Sequence, residues 1–378
     1  MRIGFDISPL TPNRTGVGTY CYFLLRALLA NHGQHSFFGY STGSNPVVPG
    51  PSLASLAGHR HWRVPTRVAY KLWDVTGHPK VDSAFGGLDV FHATNFFLPP
   101  VTQAARVVTI HDLGFLVNPS WSSPKIVGPY SKGIERFVRE ADAILVYSES
   151  TRNDLVRLAG AVPEKIHLAP LGVDARFRPM SGDLARKRVT ERYGLAFPYL
   201  FFVSTIEPRK NIEGMIRAYA KAAKHIPHRL VLAGGMGWQP TSVEAIARDA
   251  GVADRVVTLG YVKNDEDLPA LYSAADVFLF PSHYEGFGLP ILEAFACGCP
   301  VVTSNRASLP EVAGDAALMS DSEDLDEIAK NIIRIIGDDH LREGLIHRGR
   351  ERARTFTWQR CAAQTMQTYE AVAHARSV

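Results

Sequence analysis

Two carboxylates, Glu285 and Glu293, flank a glycine-containing loop in the sequence EGFGLPILE. Carboxylates accept hydrogen bonds from hydroxyl groups, so this pair suits a ligand rich in sugar hydroxyls. Between them, Gly286 and Gly288 let backbone N–H groups approach an anion, and Pro290 marks the first turn of a helix whose dipole attracts negative charge. The loop therefore predicts a site for a phosphorylated, hydroxyl-rich ligand. The alternative is that Glu293 only complements the helix dipole and that Glu285 is solvated.

A second candidate group is the cation pair Arg209 and Lys210 in the sequence STIEPRKN. The pair stands just before a predicted helix that begins near Ile212, where each cation opposes the helix dipole at a cost of about 0.3–1 kcal/mol. A diphosphate would neutralise both charges, with Arg209 gripping it in bidentate fashion and Lys210 acting as a point charge. The alternative is that both side chains point into water.

The elements that must position these residues are parallel strands. Apolar runs with the length of buried strands alternate with stretches of helical period, which predicts α/β layers covered on both faces. Ligands of open α/β sheets bind beyond the carboxyl ends of the strands, and both motifs follow predicted strands. The runs are Ile3–Ile7, Asp89–His92, Arg106–Ile110, Ala143–Val146, Leu200–Val203, Leu230–Leu232, Val256–Leu259, Val277–Phe280 and Val301–Thr303.

The predicted strands fall into two sets, separated by the Gly- and Pro-punctuated stretch PLGVDARFRP at residues 170–179. We therefore predict one domain over residues 1–172 and a second over residues 173–357. The helical stretch over residues 358–378 follows the second set and is expected to pack back on the first domain. The segments EADAILVYSES and AADVFLFPSHY echo each other, which favours two similar halves.

Length and composition exclude several classes of protein. The chain has 378 residues, of which 46% are hydrophobic and 21% charged, as expected for two or three globular domains. No apolar run approaches the roughly 20 residues that cross a bilayer, and the N-terminus lacks a signal-peptide pattern. The four cysteines show no zinc-ligand spacing and are expected to be reduced thiols. The net charge of +4 is too small and dispersed to predict nucleic-acid binding.

The standard nucleotide-binding fingerprints are absent from the sequence. There is no P-loop, and Gly16-Val17-Gly18 continues to Cys21 where the dinucleotide fingerprint requires a glycine. These absences argue against a P-loop ATPase and against an ordinary NAD enzyme.

The motifs occur together in an order that resembles one family. EGFGLPILE is an E-x7-E sequence, and with STIEPRKN, ADVFLFPS, ACGCPVVTS and TGVGTY it resembles the retaining glycosyltransferases of family 4, group 1, in a mannosyltransferase-like form. IHDLGF, VYSESTRNDL and PLGVDARF extend the resemblance over nearly the whole chain except residues 35–90. The resemblance implies a GT-B fold, in which two Rossmann-like domains with parallel sheets face a central cleft. The first domain would then bind the acceptor and the second the nucleotide sugar.

The resemblance also implies a role for each matching residue. The catalytic residues would be Lys210 at the donor diphosphate, Glu285 at hydroxyls of the transferred sugar and His111 beside that sugar. Further candidates with less specific roles are Gly18, Asp112 and Thr205. The other implied donor contacts are Gly16 and Arg209 at the phosphates, Val262 at the base, Gly286, Phe287 and Gly288 along the sugar and phosphate, Leu289 near the distal phosphate and ribose, and Glu293 at the ribose hydroxyls.

Two details of this assignment stay open. Related enzymes often carry an arginine shortly before the lysine, where this chain has Ser204 and Thr205. Either Arg209 substitutes for that arginine, or hydroxyl and backbone donors suffice. The histidine in TIHDL could instead be structural, and the same choice holds for His92 and Asn95 in FHATNF, which follow a strand and could shape an acceptor site.

The implied reaction is metal-independent, retaining hexosyl transfer in surface polysaccharide synthesis. The first expectation is mannose from GDP-mannose, moved to a glycan or to a polyprenyl-diphosphate-linked saccharide. No cofactor or metal is expected, since Lys210, Arg209 and a helix N-terminus supply positive charge for the leaving diphosphate. Two alternatives are a sugar-nucleotide epimerase on the same fold and a non-catalytic, nucleotide-sugar-binding membrane scaffold.

The stretch HRHWRVPTRVAYKLW at residues 59–73 alternates cations with aromatic rings. Such a pattern predicts peripheral contact with an anionic membrane, with cations on phosphates and rings at the headgroup level. The resemblance implies the cytoplasmic face of the membrane, because many members of the family glycosylate polyprenyl-diphosphate-linked sugars there. The alternatives are an anionic glycolipid site or a loop packed on its own domain. The cations are Arg60, Arg63, Arg67 and Lys71, and the rings are Trp62, Tyr70 and Trp73.

Overall fold

The computed structural model describes residues 1–11, 16–47, 50–238 and 242–377, and their contacts divide into two compact units. The first unit comprises Met1–Leu116, Lys125–Gly172 and the chain from Thr357 onward. The second comprises Val117–Pro124 and Val173–Phe356. The segment Val117–Pro124 corrects the predicted division, which assigned it to the first domain. It belongs with the second unit because the Trp121 ring stacks on rings of that unit.

Each unit is built on one sheet, and every pairing between its described strands is parallel. The strand order is β3-β2-β1-β4-β5-β6-β7 in the first sheet and β10-β9-β8-β11-β12-β13 in the second. This order is the doubly wound pattern of Rossmann-like folds. The strands are β1 Arg2–Asp6, β2 Ser36–Thr42, β3 Gly58–Trp62, β4 Val90–Ala93, β5 Ala105–Thr109, β6 Ala143–Val146, β7 Ile166–Leu168, β8 Tyr199–Val203, β9 Arg229–Ala233, β10 Val256–Gly260, β11 Val277–Phe280, β12 Val301–Ser304 and β13 Ala317–Ser320.

Helices connect most of these strands, as right-handed crossovers between parallel strands require. Within the described residues, no helix has the length and apolar character that a membrane span needs. The helices are α1 Gly16–Asn31, α2 Thr66–Thr76, α3 Gly114–Val117, α4 Pro124–Glu140, α5 Glu149–Ala159, α6 Gly182–Tyr193, α7 Ile212–Ala222, α8 Val243–Asp249, α9 Leu268–Ala274, α10 Leu289–Cys297, α11 Leu309–Ala313, α12 Leu325–Gly337, α13 Asp339–Arg354 and α14 Trp358–Ser377.

The central strands of both sheets are buried on both faces. In β8, the consecutive residues Leu200, Phe201 and Phe202 are fully buried, and all four residues of β11 are as well. Because neighbouring side chains of a strand point to opposite faces, such a run requires cover on each side. The continuous apolar runs in the sequence reflect this double burial.

The last helix, α14, belongs to the first unit and packs against α1, β4, β5 and β6. Its first residue, Trp358, stacks on Phe23 of α1 with ring centroids 5.4 Å apart. At Gly172, a side chain would place its Cβ 2.1 Å from the Trp358 backbone nitrogen. Glycine is therefore required where the two chain segments pass each other.

Candidate functional site

The loops that carry the two predicted motifs meet at the carboxyl edge of the second sheet. Strands β8 and β11 are hydrogen-bonded neighbours, so the loops that follow them emerge side by side. The first loop contains a short 3-10 turn, Pro208–Lys210, and the second leads into α10. The His283 N–H donates to the Arg209 carbonyl oxygen at 3.0 Å and joins the loops directly.

Glu285 is the centre of a buried ion cluster. Its Oε1 accepts from Lys210 Nζ at 2.6 Å, and its Oε2 accepts from Arg209 Nη1 at 2.9 Å. Arg209 also donates through Nη2 to Glu207 Oε1 at 2.9 Å. The side chains of Lys210 and Glu285 are each 8% exposed, so water screens their interaction weakly. Two cations and two carboxylates leave the cluster formally neutral.

The pKa values of both Glu285 and Lys210 are shifted within this cluster. Burial acts to raise the pKa of Glu285, but the charges of Lys210 and Arg209 outweigh burial and the pKa is lowered. Burial lowers the pKa of Lys210, and Arg209 adds to this effect against the attraction of Glu285. Perturbed groups with specific charge partners, placed at strand ends, are typical of functional sites.

Asn211 fixes the turn that presents Lys210, and it was not among the predicted site residues. Its backbone is left-handed with φ 55°, a conformation that asparagine tolerates. Its Nδ2 donates to the carbonyl oxygens of Pro281 at 3.0 Å and Ser322 at 2.7 Å, which ties the two loops together. At Gly214, a Cβ would lie 2.2 Å from Asn211 Oδ1. The asparagine directly after Lys210 in PRKN was the available signal.

The glycine loop before α10 is supported by Ser308. Its hydroxyl lies 2.8 Å from the carbonyl oxygens of both Glu285 and Phe287. Gly288 adopts φ 110° as the N-cap of α10, and in the described structure no side chain caps this helix. Pro290 has no N–H, and the Ile291 N–H donates to the Gly288 carbonyl oxygen at 3.0 Å. The Leu289 N–H and the helix dipole therefore make this N-terminus suited to an anion. Gly286 lies within the same loop and is buried.

The other residues expected at the donor lie in the same unit. Glu293, in α10, accepts a hydrogen bond through Oε2 from the buried Tyr272 hydroxyl at 2.9 Å. Val262 follows the edge strand β10 and is 7% exposed, and Thr205 is an exposed residue just after β8. Tyr272 was not predicted, and it holds one oxygen of Glu293 in place.

His111, in the first unit, has both ring nitrogens engaged by protein groups. Nε2 lies 2.9 Å from the Thr94 carbonyl oxygen, which only accepts, so Nε2 carries the proton. Nδ1 must then accept from the Tyr147 hydroxyl at 2.6 Å. Burial lowers the pKa of His111 to about 4, so the ring is neutral at pH 7. The expected contact of His111 with the sugar thus competes with these two bonds.

The remaining first-unit candidates have structural partners or lie at the start of α1. Asp112 Oδ1 accepts from the Gly114 N–H, the first of α3, at 2.9 Å. Gly16 is the exposed first residue of α1, and Gly18 is buried within it. Thr15, which opens the TGVGTY motif, lies outside the described residues.

His92 is a structural residue, which corrects the idea that it shapes an acceptor site. The ring is fully buried, with Nδ1 2.6 Å from the Tyr369 hydroxyl and Nε2 2.7 Å from Thr109 Oγ1. Burial lowers its pKa to about 3. Its neighbour in the motif, Asn95, makes a side-chain hydrogen bond to Tyr130.

An unpredicted tryptophan lies beside the Glu285 loop. Trp121 stacks on His283 with ring centroids 5.9 Å apart and on Tyr284 with centroids 6.1 Å apart. Its carbonyl oxygen accepts from Trp238 Nε1 at 3.0 Å. No sequence pattern linked Trp121 to His283 and Tyr284, which lie far along the chain, so the contact is visible only in three dimensions.

The aromatic rings of residues 59–73 pack inward, which corrects the expectation that they lie at lipid headgroups. Trp73 is buried in the core of the first unit, and Trp62 packs partly buried against the same core. Tyr70 stacks on Phe97 with ring centroids 3.5 Å apart. The outward positions of α2 carry cations and aliphatic side chains instead.

The His, Cys, Asp and Glu side chains of the described residues were compared with the arrangements that hold metal ions. Across the described ranges, no group of three or more His, Cys, Asp or Glu side chains is placed to hold a metal ion. The cysteines at positions 21, 297, 299 and 361 are buried thiols.

Matches to known protein families and relatives extend over nearly the whole chain. The profile of the glycosyl transferases group 1 matches residues 190–352, and that of glycosyltransferase family 4 matches residues 14–177. O-antigen chain mannosyltransferase B of Escherichia coli is 34% identical over 387 residues, covering 98% of this chain and 100% of that protein. D-inositol 3-phosphate glycosyltransferase of Salinispora tropica is 34% identical over 323 residues, covering 78% of this chain and 66% of that protein.

Solved structures share the fold. Sucrose-phosphate synthase from Thermosynechococcus elongatus superposes with a TM-score of 0.77 and covers 99% of both chains at 23% identity. At this identity the likeness concerns the fold, and it agrees with the two doubly wound units described above.

Proposed function

Since the chain belongs to the group 1, family 4 glycosyltransferases and has their GT-B fold, we propose that it is a retaining mannosyltransferase. The proposed donor is GDP-mannose, and the proposed acceptor is a glycan or a polyprenyl-diphosphate-linked saccharide of a surface polysaccharide. The name of the Escherichia coli relative, an O-antigen chain mannosyltransferase, supports mannose as the transferred sugar and a surface polysaccharide as the product.

The observation that carries the proposal is the buried contact between Lys210 and Glu285 at 2.6 Å. It places a cation and a hydroxyl-accepting carboxylate at one point on the carboxyl edge of the second sheet. A nucleotide sugar presents a diphosphate next to sugar hydroxyls, so its two chemistries match this pair.

The residues of this site would act mainly through charge. In glycosyl transfer the leaving diphosphate gains negative charge while the sugar becomes oxocarbenium-like. Lys210 and the N-terminus of α10 would stabilise the diphosphate from preset positions, and such preorganised stabilisation is usually the largest single contribution to catalysis. Glu285 would accept hydrogen bonds from sugar hydroxyls, and Glu293 from ribose hydroxyls.

Bond changes in the proposed reaction balance without a further reactant. The acceptor hydroxyl oxygen bonds to the anomeric carbon as the bond from that carbon to the diphosphate oxygen breaks. We propose attack on the face from which the diphosphate leaves, which retains the configuration, with the acceptor proton passing to a diphosphate oxygen. The positive charge is supplied by protein groups, so activity is expected to persist in a chelator.

The decisive experiment offers the purified protein a panel of labelled nucleotide sugars with a lipid-linked acceptor extract. Transfer of mannose label to the lipid phase, with equimolar release of GDP, is the expected result. Conversion of the donor without an acceptor would favour the epimerase, and nucleotide binding without turnover would favour the scaffold. Transfer that requires an added divalent metal would contradict the proposal that the reaction is independent of metal ions.

We also propose that α2 brings the protein to the cytoplasmic face of an anionic membrane. Val68, Leu72 and Val75 are 52%, 40% and 84% exposed and, at spacings of four and three residues, form one stripe on this helix. The exposed cations Arg67 and Lys71 flank the stripe. A basic amphipathic face of this kind suits an anionic lipid surface.

Vesicle co-sedimentation tests the membrane proposal. Binding to phosphatidylglycerol vesicles but not to phosphatidylcholine vesicles is expected, and replacing Val68, Leu72 and Val75 by serine should weaken it at least about tenfold. Leu184→Ser is the matched control, because Leu184 is 62% exposed on α6 of the other unit. Equal binding by the triple variant and the wild type would refute the role of α2.

A further inference from the structure

Arg209 is attached to carboxylates through both of its terminal nitrogens. Nη1 donates to Glu285 Oε2 and to the Tyr284 carbonyl oxygen, each at 2.9 Å, and Nη2 donates to Glu207 Oε1 at 2.9 Å. The side chains of Arg209 and Glu207 are both 17% exposed, and that of Glu285 is 8% exposed. The guanidinium therefore spans the two loops and fixes the Glu285 loop by both its backbone and its side chain.

This geometry differs from the expected grip of Arg209 on a diphosphate. An end-on bidentate grip would use the same two terminal nitrogens that are bonded to Glu285 and Glu207. Breaking those bonds would leave two carboxylates of low exposure without that cation, which is costly. Lys210 has three N–H donors and gives one to Glu285, so it has donors left for a phosphate oxygen.

We propose that Arg209 and Glu207 are a positioning pair that presets the Glu285 carboxylate for the hydroxyls of the donor sugar. This inference rests on the proposed function. Both oxygens of Glu285 are pinned, one by Lys210 and one by Arg209, so the plane of the carboxylate is fixed. The Ser282 side chain also stabilises the charged form of this carboxylate, and the acceptor capacity that remains on its two oxygens points in set directions. The pair thus contributes to recognition of the sugar through Glu285, while Lys210 and the α10 N-terminus bind the diphosphate.

Calorimetric titration with two ligands separates the two roles of Arg209. For Arg209→Gln, the Kd of GDP should change by less than about twofold, while the Kd of GDP-mannose should rise about tenfold. Lys210→Ala should raise the Kd of both GDP and GDP-mannose. Arg217→Gln is the matched control, because Arg217 forms an exposed pair with Glu213 on α7, and it should change neither Kd. Equal weakening of GDP and GDP-mannose by Arg209→Gln, or no change in either, would overturn the proposal.

Glu207→Gln gives an independent test that does not remove the guanidinium. As a positioning residue, Glu207 should affect the ratio of the two Kd values by a few-fold in the same direction as Arg209→Gln. If Arg209 instead binds the diphosphate, the loss of its bond to Glu207 should lower the Kd of GDP. Arg209→Lys should not restore the ratio, because a single ammonium cannot span both carboxylates.

The design distinguishes this inference from the proposed function. If the wild type binds UDP or another diphosphate instead of GDP, the same ratio is measured with that nucleotide and its sugar. Binding of nucleotides with an unchanged ratio overturns only the positioning role. Failure of the wild type to bind any nucleoside diphosphate or sugar nucleotide overturns the proposed function as well.

Discussion

Removing the charge of Glu285 should destabilise the protein more than removing the charge of Lys210. The cluster of Arg209, Lys210, Glu207 and Glu285 is neutral, so Glu285→Gln leaves it at +1 with two cations facing one carboxylate. Breaking a buried pair in this way costs about 3 kcal/mol of unfolding free energy. Lys210→Met leaves Glu285 still bonded to Arg209, so its cost should be about 1–2 kcal/mol.

The double variant Glu285→Gln/Lys210→Met should be more stable than the two single costs imply. It restores neutrality, because the Arg209–Glu207 pair is left intact. We expect a coupling free energy of about 2 kcal/mol, within the range found for residues in one ionic network. Urea-induced unfolding of the three variants and the wild type, followed by tryptophan fluorescence, measures it.

Transfer activity should separate function from stability in the same set. Both single variants and the double variant should lose activity, although the double variant regains stability, because neither the cation nor the carboxylate is restored. Additive stability effects within about 0.5 kcal/mol would refute the energetic coupling. Activity in the double variant close to that of the wild type would refute a role of the pair in the reaction.

Three further predictions concern titration and buried hydrogen bonds. The folded-state pKa values of His92 and His111 are lowered to about 3 and about 4, so the unfolded chain takes up these protons first as the pH falls below 6.5. The unfolding free energy should therefore fall as the pH is lowered from 6.5 to about 4, by up to about 2.7 kcal/mol per pH unit for two protons. Urea titrations at several pH values measure this change. An unfolding free energy that rises as the pH is lowered over this range would contradict the prediction. The pKa of Lys210 is lowered from the ordinary lysine value of 10.5. As the pH is raised, the transfer rate should therefore fall before the pH reaches that value. A rate that stays constant up to about pH 10.5 would be inconsistent with Lys210 at the diphosphate. Tyr147→Phe should cost about 1–2 kcal/mol in urea unfolding, since it leaves His111 Nδ1 without its donor, and an unchanged midpoint would show that this bond contributes nothing.

The sequence predicted the central strands better than the edges of the first sheet. The apolar run Ala143–Val146 coincides with β6, because a strand buried on both faces must be apolar at every position. The edge strand β3, with the sequence GHRHW, has no such run and is only partly buried. For that reason the sequence alone predicts no strand there.

Helix α2 shows why composition did not identify the exposed face. The rings of residues 59–73 were expected outside, but Ala69 and Trp73, four residues apart, form the buried side of the helix. The exposed stripe of Val68, Leu72 and Val75 lies on the other side. Only the register of the helix on the core decides between the two faces.

The candidate site was predicted in its members but not in all its bonds. Lys210 and Glu285 could be placed together because both follow strands at the carboxyl edge of one sheet. Arg209 bonds to whichever acceptors its long side chain can reach. Some of them, such as Glu285, are far away in the sequence, so the residues around Arg209 do not predict them. Glu207 and Asn211 lie within the same motif, yet their roles follow from hydrogen bonds across to the next loop or to Arg209.

A crystal structure of the protein with GDP-mannose, or with a slowly transferred analogue of it, tests the donor site most directly. We predict a diphosphate oxygen within about 3 Å of Lys210 Nζ, and sugar hydroxyls at hydrogen-bond distance from Glu285. Arg209 should keep its bonds to Glu285 and Glu207. A sugar nucleotide bound elsewhere on the chain, with Lys210 and Glu285 untouched, would contradict the account.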